Sequence, residues 1–184
     1  MNPIEIPANG LTLILGGARS GKSSFAEQLG RESGQTVLFI ATATASDGEM
    51  AERIHKHRAS RPANWQTLEL PLNLGQNLSA PMAEVVIVDC ITLLVTNALL
   101  SLPEDSPSEA VMQKIQAEIE ELIAAQARIG GQWLLVSNEV GLGLVPPYPL
   151  GRIYRDALGW ANQRLAQAAQ RVIFMVAGIP MIVK

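Results

Sequence analysis

Short unbroken runs of branched apolar residues recur along the chain. Between them lie stretches in which apolar positions fall every third or fourth residue. Leu11–Leu15, Thr36–Ala41, Val85–Val88, Trp133–Ser137 and Val172–Val176 are of the first kind, the pattern of strands buried on both faces. Gln66–Leu70 reads as a further short strand, and Gly178-Ile179-Pro180 turns the chain into a last one at Met181–Val183. The second kind predicts helices. One follows Leu15, with Phe25 and Leu29 at i,i+4 and Gly34 as its stop. Another opens at a capping box, Ser46 to Glu49, runs through Met50–Arg58 and ends before Pro62, which disfavours helix at Arg61. Ile91–Leu100 is a largely buried helix. Ser106-Pro107-Ser108-Glu109 combines an N-cap serine, proline at N1 and glutamate at N3. It starts a helix with Met112, Ile115, Ile119, Leu122 and Ile123 facing inward, Glu118, Glu120 and Glu121 as a solvated face, and Gly130-Gly131 as its end. A final long helix covers about residues 152 to 170.

Strands of the buried type alternating with helices define an α/β domain with a mainly parallel sheet and right-handed crossovers that place helices on both faces. Residues 1–184 read as one domain. Ligands of such sheets sit beyond the carboxyl ends of the strands. The loops after Leu15, Ala41, Val88 and Ser137 therefore share one rim, gathering Lys22, Ser23, Thr42, Asp89, Asn138 and Glu139.

Composition narrows the possibilities. The chain is 48% apolar and only 4% aromatic, so its interior is aliphatic. A net charge of −3 does not suggest a nucleic-acid partner. A single cysteine, Cys90, permits no internal disulfide and favours a reducing cytoplasm. Met1–Glu5 lacks the pattern of a signal peptide, and Ile91–Leu102 is interrupted by polar residues before it could span a membrane. A soluble, cytoplasmic protein is expected.

Between the first strand and its helix lies Gly16-Gly17-Ala18-Arg19-Ser20-Gly21-Lys22-Ser23. This is the G-x-x-x-x-G-K-[ST] pattern of a phosphate-binding loop, in the strand–loop–helix setting such a loop requires. Glycines let the backbone N–H groups turn toward polyphosphate, Lys22 reaches the outer phosphates and the Ser23 hydroxyl is placed to ligate Mg²⁺. The positive end of the following helix faces the same anion. Asp89, a carboxylate ending a buried strand, suits Mg²⁺ as well, although an Asp there also serves to cap the next helix. Arg19 is either a γ-phosphate contact or a solvent-exposed side chain.

A second chemical centre is the basic segment Arg53-Ile54-His55-Lys56-His57-Arg58-Ala59-Ser60-Arg61, which holds the two histidines of the chain. At about 100° per residue, His57 lies roughly 20° around a helix from Met50, whereas His55 lies roughly 140° away. His57 thus projects from the packed face and His55 faces water. A fixed imidazole among cations is suited to attack phosphorus, and a solvated cationic helix face is the plainer alternative.

These motifs resemble those of the bifunctional adenosylcobinamide kinase/adenosylcobinamide-phosphate guanylyltransferases of cobalamin biosynthesis. The resemblance rests on Ile14–Ser23, Ile40–Ala43, Glu49–Ile54, His57-Arg58 with Arg61-Pro62 and Trp65, Asn138–Gly143 and Asn162–Ala166, in family order along nearly the whole chain. It implies a RecA-like sheet of the P-loop NTPase class, a homotrimer and two reactions. The first transfers a phosphoryl group from ATP or GTP to the hydroxyl of adenosylcobinamide. The second transfers GMP from GTP, through a GMP–histidine intermediate, onto the resulting phosphate. It implies His57 as the nucleophile and nucleotide contacts at Gly16, Gly17, Ala18, Arg19, Ser20, Gly21, Lys22, Ser23, Ala41, Thr42, Ala43, Arg58, Ala59, Ser60, Arg61, Glu69 and Asp89, with Mg²⁺ at Ser23 and Asp89. Some members carry a further histidine where this chain has Lys56, so the register is taken from His-Arg-x-x-Arg-Pro. Two other readings stay open on the residues alone: a P-loop kinase of another small alcohol, and a RecA-type nucleotide-dependent assembly module. Glu139, Asp89 and Glu69 are alternative bases for the kinase step.

Overall fold

The structure is a computed structural model, and it describes residues 6–43, 61–78 and 83–184. The predicted capping box at Ser46–Glu49, the helix through Arg58 and both histidines lie outside the described residues. In chain order the elements are β1 (Gly10–Gly16), α1 (Lys22–Glu32), β2 (Val37–Ala41), β3 (Gln66–Glu69), α2 (Leu74–Asn77), β4 (Val85–Asp89), α3 (Ile91–Leu100), α4 (Ser108–Ile129), β5 (Gln132–Asn138), α5 (Pro149–Ala168), β6 (Arg171–Val176) and β7 (Ile179–Ile182).

The strands form one seven-stranded sheet in the order β3-β2-β4-β5-β1-β6-β7. Every pairing is parallel except β6 with β7, a hairpin that antiparallel geometry permits with a short turn. β1 is central, with Leu13 opposite Leu135 on β5 and Val172 on β6. β5 separates β1 from β4, so the phosphate-loop motif and Asp89 leave the sheet two strands apart.

Alternation along the strands divides the interior in two. Leu11, Leu13, Leu38, Ile40, Val86, Val88 and Leu135 point to one face, where α3, α4 and α5 cover them with Leu94, Ile115, Ile119, Leu122, Leu158 and Leu165. Ile14, Phe39, Ile87, Leu134 and Val136 point to the other, which receives Ala26, Phe25 and Leu29 of α1. Parallel strands buried on both faces need such continuous apolar runs.

The local differences from expectation have physical causes. Pro107, not Ser106, occupies the N-cap of α4, and no side chain caps that end. Glu118 is buried, not solvated; its carboxylate accepts the Asn73 N–H at 2.9 Å and pairs with Lys114 at 3.2 Å. That contact secures α2, an element hidden from periodicity because it is a single turn beside Pro71. α5 starts at Pro149 and not near Arg152, because proline is tolerated in a first helical turn. The final strand lies at Ile179–Ile182, shifted toward the turn from Met181–Val183.

Candidate functional site

The loop between β1 and α1 is shaped by glycine where nothing else fits. Gly16 has φ +151, and a Cβ there would meet the Met175 carbonyl at 2.6 Å and Ser20 Oγ at 2.7 Å. Gly21, the residue before α1, has φ +96, a left-handed conformation that side chains disfavour. Backbone bonds hold the turn from within and from both neighbouring strands. Ser20 N–H donates to Gly17 O at 3.3 Å, Gly178 N–H of the β6–β7 turn to Ser20 O at 2.9 Å, and Glu139 N–H to Gly16 O at 3.1 Å. Lys22 is 6% exposed; its ammonium donates to Gly17 O at 2.6 Å and Ser20 Oγ at 3.4 Å. Burial lowers its pKa from the ordinary lysine value, against the pull of Cys90 and Asp89 in the other direction.

The loop forms one wall of a cavity of about 560 Å³, in the usual range for a small-molecule site. Ala18, Arg19, Ser20, Gly21, Lys22 and Ser23 line that wall, Ala41, Ala43, Asp89 and Asn138 line the strand ends, and Arg61 closes one side. Arg61 stacks over the Phe39 ring at 3.4 Å from the centroid, with its Nε 3.9 Å from Glu27 Oε1. A cation so held is ready to face an anion without freezing a free side chain.

Other predicted residues fall elsewhere. Gly16 and Gly17 form the base of the loop and do not line the cavity. Glu69 is at the exposed end of β3, outside the lining, and so is Glu139, whose Oε1 accepts the Gly141 N–H at 2.5 Å. Thr42 is fully buried under the rim. Its hydroxyl donates to Cys90 O at 2.7 Å and accepts Cys90 N–H at 2.8 Å, while its own N–H donates to Asp89 O at 3.2 Å. Thr42 thus clamps the end of β4 from which Asp89 projects. His57, Arg58, Ala59 and Ser60 lie outside the described residues.

The cavity also holds residues that motif reading passed over: Ser24, Phe39, Cys90, Thr92, Leu93 and Val136. A period of two signals some of them, since Phe39 shares a strand face with Ala41, and Val136 with Asn138. Thr92 receives the Asn138 N–H on its hydroxyl at 2.8 Å, and Asn162 of α5 binds Asn138 O at 3.0 Å and Ser137 Oγ at 2.7 Å. The rim from β2 to β5 is thereby one hydrogen-bonded belt. Burial, with Asp89 adjacent, raises the Cys90 thiol to about 11, so it is a poor nucleophile near neutral pH.

A central parallel strand feeding a glycine loop and a helix, with a carboxylate two strands away on the same rim, defines a P-loop protein with a mainly parallel sheet. Residues 12–183 match the family model described as cobinamide kinase/cobinamide phosphate guanyltransferase, and the chain belongs to that family. It is 50% identical over 174 residues to the bifunctional adenosylcobalamin biosynthesis protein CobP of Pseudomonas aeruginosa, covering 94% of this chain and 96% of that one. It is 44% identical over 181 residues to the bifunctional adenosylcobalamin biosynthesis protein CobU of Escherichia coli, covering 95% and 99%. Looser likenesses, each 15% identical, are to two solved structures. They are the flagellar accessory protein FlaH of Methanocaldococcus jannaschii (TM-score 0.48, 97% of this chain and 80% of that one) and the RadB recombinase (TM-score 0.46, 90% and 73%).

Proposed function

We propose that the chain carries out both reactions of its family on one nucleotide cradle: phosphorylation of adenosylcobinamide by ATP or GTP, then GMP transfer from GTP to give adenosylcobinamide-GDP. The observation that carries this reading is the family match across residues 12–183, with the phosphate loop in its working setting at the centre of the sheet.

For phosphoryl transfer the work is positioning and charge stabilisation. The backbone N–H groups of Gly17–Ser23 and the start of α1 cradle the phosphates, Lys22 leaves its contact with Gly17 O to bind their outer oxygens, and Arg19 and Arg61 flank them. Ser23 and Asp89 offer a hydroxyl and a carboxylate on the same cavity, hard oxygen donors that suit Mg²⁺ sharing the nucleotide's phosphates. Bound there, Mg²⁺ supplies neutralisation of phosphate charge.

For GMP transfer we assign the nucleophile to His57, by the His-Arg-x-x-Arg-Pro register. An imidazole nitrogen attacks the α-phosphorus, a P–N bond forms and the P–O bond to pyrophosphate breaks. A phosphate oxygen of the corrinoid phosphate then displaces the imidazole, forming the P–O–P bond of the product. Arg58 to Arg61 stabilise the charge that develops. We further propose a homotrimer working in the cytoplasm; no described helix is long and apolar enough to cross a membrane.

Incubation with GTP and Mg²⁺ without corrinoid tests this. Intact-mass measurement should show a GMP adduct, acid-labile and alkali-stable, absent in His57→Ala and present in His55→Ala. Absence of the adduct from the unaltered protein overturns the transfer mechanism, and an adduct surviving in His57→Ala overturns the residue assignment.

A further inference from the structure

The loop leaving β5 has a character unlike the phosphate loop beside it. From Val140 to Gly151 no residue carries charge at neutral pH. Leu142 is 82% exposed, Leu144 96%, Val145 64% and Tyr148 61%. Hydrogen bonds anchor both ends of this apolar segment. Glu139 N–H ties its base to Gly16 O at 3.1 Å, Glu139 Oε1 caps Gly141, and Arg152 Nη1 donates to Pro146 O at 3.1 Å and Pro147 O at 2.9 Å. Arg152 also lines a groove of about 350 Å³ between the starts of α4 and α5, with Ser108, Met112, Pro149, Ile153 and Asp156. Loop and groove are therefore continuous through Arg152 and Pro149. The loop is in turn continuous with the nucleotide cavity, whose wall includes Asn138.

We propose that this loop and groove seat the corrinoid acceptor. The inference rests on the family activity proposed above. Cobinamide is a macrocycle with methyl-bearing apolar surface and amide arms around its edge, too large for a cavity that already holds a triphosphate. Its hydroxyl arm must enter from the rim while the ring stays outside. An uncharged apolar shelf one strand from the phosphate loop suits the methyl-bearing surface of the ring, and Ser108, Arg152 and Asp156 in the groove suit its amides. The other exposed apolar run among the described residues, Val176 with Ile179 to Val183, lies on the β6–β7 hairpin, whose β7 forms the sheet edge. Its unpaired strand edge favours pairing with another chain over a macrocycle.

The test is a Leu142→Ser/Leu144→Ser double variant beside Leu144→Met, which keeps the apolar surface. Four readouts are compared with the unaltered protein: the KM for cobinamide, the KM for GTP, the yield of GMP adduct without corrinoid, and the assembly mass by sedimentation. Removing two seated leucines should raise the cobinamide KM by about tenfold or more. The GTP KM, adduct yield and mass should stay as they were, and Leu144→Met should behave normally. An unchanged cobinamide KM overturns the seat. So does a changed assembly mass, which assigns the loop to a subunit contact, or a lost adduct, which assigns it to the nucleotide. Failure of the underlying reading is separate: the unaltered protein would then not phosphorylate cobinamide at all.

Discussion

The loops leaving β1 and β5 start from paired neighbouring strands and end at helices on the same rim, yet they hold their shapes by opposite means. The β1 loop is built of backbone. Gly16 and Gly21 take conformations closed to side chains, and bonds from Gly178 and Glu139 brace it from both sides. The β5 loop is built around side chains left in water, with Glu139 and Arg152 tying down its two ends. A polyphosphate is met by N–H groups and a cation at fixed positions. An apolar ring is met by area. One rim therefore presents two surfaces for chemically unlike ligands.

Lys22→Met breaks the first half of that comparison hardest. Loss of one preorganised cation should lower the kinase kcat by about a hundredfold or more. The cobinamide KM should scarcely move, as steady-state kinetics with each substrate varied will show. A parallel rise in cobinamide KM would mean that the two surfaces are not separate.

Thr42→Val sharpens the comparison from a part of the rim that belongs to neither loop, the end of β4. It leaves the Cys90 N–H without its acceptor, while Cys90 O keeps the Leu94 N–H, at a cost of about 1–3 kcal/mol for an unsatisfied buried group. Thr42→Ser should lose much less. Urea unfolding measures the difference, and equal stabilities of the Val and Ser variants would show that the clamp is unimportant.

The smallest effect concerns Cys90. Its thiol is raised from an ordinary 9.0 to about 11, so near pH 8 the folded protein should hold about a hundredfold less thiolate than the denatured chain. Iodoacetamide labelling of the native protein should keep accelerating above pH 9, where the denatured chain levels off. Between pH 9 and about 11 the folded state keeps a proton that the unfolded state releases, so this group's contribution to stability falls as pH rises through that window. A native labelling profile that levels off with the denatured one would contradict the burial.

Much of the fold was legible because parallel strands buried on both faces leave an unmistakable apolar run. Val85–Asp89 and Ile91–Leu100 emerge with the boundaries that the residues suggested. What escaped depended on distant partners. Glu118 reads as a surface acid until Asn73 supplies its buried donor. α2 is one turn, too short for any period to register. Thr42, placed among the nucleotide contacts by resemblance, has its hydroxyl occupied by Cys90, a residue far along the chain.

The sequence by itself determined the strand–loop–helix around Gly16–Ser23, since glycine spacing and the flanking apolar run act within a few residues. It also determined the order of the other described elements apart from α2. Tertiary structure alone decided that β5 lies between the phosphate-loop strand and the Asp89 strand, that Arg61 stacks on Phe39 over the cavity, and that Thr42, Thr92 and Asn162 bind the rim into one belt. Those are contacts between residues far apart in the chain, and a side chain's partner across such a distance is set by how the strands are ordered, not by local pattern.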